Sequence, residues 1–127
     1  MYRAYGLLPP GHGFHLEDAY SQLKARFPDP YTLTLADASI TISRDDWEMV
    51  VSLNSSPEVL QESLGFAEKI AGASDGLDIE SCNSRVEVSS DSADPFVEHL
   101  GDFHAVIEVL RGFSGIILID PKEPALM

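Results

Sequence analysis

The chain has 127 residues, the usual size of one domain, and its 44% apolar and 23% charged residues are those of a folded globular protein rather than a disordered one. Eight Lys and Arg stand against 21 Asp and Glu, a formal net charge of −13. A surface of that sign repels phosphate backbones, which argues against nucleic acid as a partner.

Residues 2–8 alternate weakly, as a first strand does. The Pro9-Pro10-Gly11-His12-Gly13 segment is a loop. Leu16, Ala19, Tyr20, Leu23 and Phe27 then recur at helical spacing, and Pro28 and Pro30 end that helix. Tyr31, Leu33 and Leu35 alternate with Thr32 and Thr34, and Ile40 and Ile42 alternate with Thr41 and Ser43. The short Ala36-Asp37-Ala38 link joins the two as a hairpin. After Arg44-Asp45-Asp46 comes a third alternation, Trp47, Met49, Val51 and Leu53.

Ser56 followed by Pro57 starts a second helix, with Leu60, Leu64, Ala67 and Ala71 on one face and Gly72 as its stop. Residues 77–80 and 85–88 read as two short strands. Asp94-Pro95 opens a third helix, with Phe96, Leu100, Phe103, Ile107 and Leu110 along one face. Gly112 and Gly115 bracket its end. Ile116–Ile119 reads as a strand buried on both faces, and the tail to Met127 as frayed.

These elements predict a single α+β domain over 1–127, with a mixed, largely antiparallel sheet and three helices. The order from Trp47 is strand, helix, strand, strand, helix, strand. That order predicts a ferredoxin-like βαββαβ core at 47–120, with an N-terminal helix and hairpin added.

Cys82 is the single cysteine, so no intramolecular disulfide can form. The longest aliphatic run, Ile116–Ile119, is far short of the roughly 20 residues that cross a bilayer. The first ten residues lack the apolar core and cleavage site of a secretory signal. A cytoplasmic protein with no membrane partner is the expectation.

No catalytic fingerprint is present, so the sequence points away from an enzyme. Glu98, His99, Asp102 and His104 offer incomplete ligand spacing, with no HExxH or cysteine pair, and predict no metal. Asp75-Gly76 reads as a turn rather than part of a calcium loop. Cys82 needs a nearby base to act as a nucleophile and otherwise packs as a small hydrophobe. The 9–15 loop lacks the Lys-Ser/Thr of a phosphate cradle, yet His12 and His15 make it the alternative small-molecule or enzyme site. No cofactor is implied.

Charge is the strongest asymmetry. Asp75, Asp78, Glu80, Glu87, Asp91, Asp94, Glu98 and Asp102 oppose the lone Arg85, a net −7 over 75–102. Such a stretch is either a solvated, solubilising face or a docking surface that steers a basic protein partner. The second reading predicts a non-enzymatic interaction module. In its general character, small, acidic and without a catalytic motif, the chain resembles bacterial immunity proteins that neutralise basic toxins; the resemblance transfers no residues. A homodimer through an exposed sheet edge or face is compatible with the charge if the contact is apolar.

Overall fold

Period-two alternation puts Trp47, Met49 and Val51 on one side of strand β4 (Trp47–Asn54) and Glu48, Val50 and Ser52 on the other. The same rule sorts β3 (Ser39–Arg44), whose Ile40 and Ile42 lie opposite Val51 and Met49. A computed structural model describes residues 2–70 and 78–127, and in it these strands belong to one seven-stranded sheet. The remaining strands are β1 (Tyr2–Leu8), β2 (Thr32–Leu35), β5 (Ser84–Ser90), β6 (Ile117–Asp120) and β7 (Ala125–Leu126). Their order across the sheet is β2-β3-β4-β5-β1-β6-β7, and every pairing is antiparallel.

The two faces are covered differently. Helices α1 (Leu16–Arg26) and α3 (Leu100–Arg111) pack together on one face. There Leu23, Phe103 and Leu110 meet Ala4, Met49 and Val88 in the larger core. Arg26 and Glu108 pair at 2.9 Å where the two helices meet. Helix α2 (Pro57–Lys69) belongs to the opposite face, where Phe66, Ala67 and Ile70 meet Leu7, Ile117 and Ile119. Ile117–Ile119 is thus buried on both sides, as its unbroken aliphatic run implies. Gly6 in β1 allows Ile116 to come close, since a Cβ there would stand 2.6 Å from Ile116 Cδ1.

Four expectations change. Residues 78–80 are not a strand: Ile79–Ser81 forms a single 3-10 turn, so the βαββαβ reading of 47–120 lacks one strand. β1 is instead an interior strand, between β5 and β6. Leu60 and Leu64 are exposed, because α2 turns Val59, Ser63 and Ile70 inward. Helix α3 begins at Leu100, so Phe96 lies ahead of it and is exposed. The tail is tied down by β7 and by Met127 N–H donating to Leu118 O at 3.0 Å. The expected Ala71 contact, Gly72 stop, Asp75-Gly76 turn and Leu77 strand start lie outside the described residues.

Candidate functional site

At one end of the sheet, the β3–β4 turn and the segment leading into α3 form a cleft. The turn places Arg44 opposite Trp47, with Asp45 and Asp46 at its tip. Asp45 has φ 53°, a left-handed conformation that Asp tolerates better than most residues. The end of β5 and the segment after it are stitched to β4 at two points. Ser90 Oγ donates to Glu48 O at 2.7 Å, and Glu48 N–H donates to Ser92 Oγ at 3.1 Å.

Asp94 is the clasp of this segment. Its Oδ1 accepts the Glu98 N–H at 2.9 Å, and its Oδ2 accepts the His99 N–H at 2.9 Å and the Tyr2 hydroxyl at 2.5 Å. Desolvation alone would raise this carboxyl, but those three donors outweigh it and hold it below its ordinary value. The same bond to Asp94, helped by burial, pushes the Tyr2 hydroxyl up to about 12. Between the clasped positions the chain takes an uncommon shape. Val97 has φ 57°, which for a β-branched residue costs about 1–3 kcal/mol.

His99 forms the inner wall. Its ring lies on the Trp47 indole, 4.2 Å between centroids and 7° from parallel. Its Nδ1 is 2.9 Å from Asp102 Oδ2, which also accepts the Tyr31 hydroxyl at 2.8 Å. Burial, followed by that bond, raises Tyr31 above its ordinary value, against an opposing contribution from Arg44. The Arg44 guanidinium lies 5.3 Å from the Tyr31 ring centroid, with Nε 3.8 Å from Asp45 Oδ2. The cleft of about 220 Å³ is lined by Arg44, Asp45, Asp46, Trp47, Glu98 and His99, among others. An adjoining recess runs past Tyr31, Arg44 and Glu98.

The exposed charged groups of this arrangement are of both signs, with carboxylates in the majority. Asp45, Asp46 and Glu98 are exposed beside Arg44, and behind them the buried Trp47 indole is stacked on the His99 ring. Ligand atoms of Asp94, Glu98 and His99 also come within 4.8 Å of one another. However, the Asp94 oxygens are already engaged by three hydrogen bonds, which explains that convergence as a loop clasp.

The described acids of 75–102 are distributed along and beyond both ends of β5. Asp78 and Glu80 are exposed beside the 3-10 turn that precedes β5, whereas Asp91 and Asp94 follow its other end. Glu87 binds Arg85 at 2.7 Å and Asn54 at 2.9 Å. Asp91 pairs with Arg3 at 2.5 Å. Asp94, Glu98 and Asp102 belong to the cleft cluster, and Asp75 lies outside the described residues. The alternative histidines have other surroundings. His12 Nδ1 accepts the Phe14 N–H at 3.2 Å, and His15 is the exposed residue ahead of α1. His104 is exposed on α3. Cys82 is buried with the α2-side core, and burial, then the charges of Asp78 and Glu80, push its thiol up to about 11. A thiol so placed is protonated at neutral pH.

Sequence spacing missed Tyr2, Tyr31, Arg44, Asp45, Asp46 and Trp47 as partners of Asp94–Asp102. The Arg44-Asp45-Asp46 turn was visible, but nothing local ties it to residues fifty positions away. No protein-family model, curated protein or solved structure matches the chain.

Proposed function

We propose that the protein is a non-enzymatic interaction module that receives cationic side chains of a basic protein partner in the cleft between the β3–β4 turn and the 91–99 segment. One observation carries this reading: Asp45, Asp46 and Glu98 converge at the rim of a cleft walled by the stacked Trp47 and His99. Exposed carboxylates steer a basic partner from a distance, and a wall already held by the Trp47–His99 stack and the His99–Asp102 bond meets it at little entropic cost. The net charge of −13 adds to the attraction. An immunity- or antitoxin-like role in a bacterial cytoplasm fits the same chemistry, since a basic toxin is the kind of partner such a cleft selects. For the fold, we propose a ferredoxin-like core made of β1, α1, β4, β5, α3 and β6, with the β2–β3 pair and α2 as additions. The order β4-β5-β1-β6 supports it.

The test is recovery of the tagged protein from its native host at low and high salt, with identification of its companions by mass. A stoichiometric basic protein, released by salt and lost from an Asp45→Asn, Asp46→Asn, Glu98→Gln variant, is the expected result. A companion retained by that variant at every salt concentration would refute the cleft as its seat.

A further inference from the structure

Phe96 is the most exposed large apolar side chain among the described residues, at 81%. It sits in the segment that walls the cleft, one residue before Val97, which is itself 55% exposed. The helical spacing of Phe96 with Leu100 and Phe103 would have tucked it against the core. The backbone prevents this. Asp94 accepts the N–H groups of both Glu98 and His99, and its own carbonyl accepts the Val97 N–H at 3.1 Å. With Val97 in its left-handed conformation, α3 is delayed to Leu100 and the phenyl is turned out. Tyr2 holds Asp94 from β1, so the projection is braced by an interior strand of the sheet.

An aromatic ring on a braced loop loses little freedom on contact, which is the property of an interface anchor. Its surroundings choose the partner. Asp45, Asp46 and Glu98 outnumber Arg44 in the lining of the neighbouring cleft, so the contact is apolar at its centre and net negative at its rim. A second copy of this chain would bring the same acids face to face, and an anionic lipid surface would be repelled.

We infer that Phe96 is the apolar anchor of the partner contact, and that its occupant is a basic segment of a partner protein with apolar side chains set between its cations. This rests on the reading of the cleft as the partner site, and it adds a requirement that charge alone does not impose.

The experiment is an amide-shift titration of the full chain with two synthetic peptides of equal length and charge. One alternates Arg with Leu and the other alternates Arg with Ser. The Arg/Leu peptide is expected to shift residues 44–47 and 91–99. Phe96→Ser is expected to weaken it about tenfold, the size of a single-anchor loss, and Phe96→Leu to keep most of the affinity. The Arg/Ser peptide is expected to bind the wild type and Phe96→Ser alike. Equal affinity of wild type and Phe96→Ser for the Arg/Leu peptide overturns the anchor and leaves the charge reading standing. Failure of both peptides to shift 44–47 overturns both readings. Sedimentation showing a wild-type dimer that Phe96→Ser dissolves assigns the ring to self-contact and overturns the inference. Phe96 is exposed, so its variants keep the native amide spectrum as the control for folding.

Discussion

Asp94 and Tyr2 join the start of the chain to the segment before α3 through one hydrogen bond, and the two groups are held in opposite protonation states. Tyr2, with its hydroxyl at about 12, stabilises the fold fully below its unfolded value of about 10; that contribution disappears as pH climbs through 12. Asp94 lies below its ordinary carboxyl value. Its contribution is complete above about pH 4 and is lost as pH falls through the lower folded value. Denaturant midpoints measured against pH are expected to show both limbs. Tyr2→Phe is expected to flatten the alkaline limb and to cost about 1 kcal/mol at neutral pH. An unchanged alkaline limb would mean that the bond is not made. At Val97, glycine removes the left-handed penalty. Val97→Gly is expected to raise stability by about 1 kcal/mol in the same assay, because relief of strain exceeds the added freedom of the unfolded chain.

Helices α1 and α3 are held mainly by apolar burial, but α2 also has an ionic tether. Arg85 in β5 is 5% exposed, with Nη1 2.6 Å from Glu62 Oε1 of α2 and Nε 2.7 Å from Glu87 Oε2. Its guanidinium lies 4.0 Å from the Tyr5 ring centroid. Burial works against the charge, but Glu87 and Glu62 outweigh it, so the guanidinium stays protonated. Arg85→Met leaves two carboxylates without their shared cation. A loss of about 2–3 kcal/mol is expected, toward the low side for a broken buried pair because Glu62 is half exposed. Hydrogen exchange should show the opening concentrated in α2 and the 3-10 turn. Uniform loss of protection across α1 and α3 would instead mean that Arg85 supports the whole sheet.

Across the whole molecule, 21 acids stand against eight basic residues, and self-repulsion opposes the compact state. Several cations are already paired, including Arg3 with Asp91, Arg26 with Glu108, and Arg85 with Glu62. Added salt screens the excess repulsion more than it weakens these few pairs. The melting temperature is therefore expected to rise by about 3–5 °C between low and physiological salt, equivalent to roughly 1 kcal/mol. A fall by calorimetry would show that the pairs dominate. None of the described helices is long and apolar enough to cross a membrane.

Local periodicity determined much of this architecture. Trp47, Met49 and Val51 announced one buried strand face, and Leu16, Ala19 and Leu23 announced the inner stripe of α1. The unbroken run after Gly115 announced a strand covered on both sides, with Gly115 at φ 83° making the bend into it. These signals are legible because neighbours in sequence decide them. Tertiary structure decided the rest. The position of β1 between β5 and β6 depends on hydrogen-bond ladders to residues about eighty and more than a hundred positions away, and its weak alternation carried no trace of that. The start of α3 was misread because Phe96 fits the helical stripe, while Asp94, clasped by Tyr2 from the far end of the chain, delays the helix to Leu100. The cleft combines Tyr31, the turn at 44–47 and the segment at 94–102, three pieces whose encounter is set by sheet order. Sequence carries the facing of residues within most elements, because sterics act over one or two turns, although α2 turns Leu60 and Leu64 outward against their spacing. Which elements then meet is settled by packing over the whole core, and the candidate site exists only at that level.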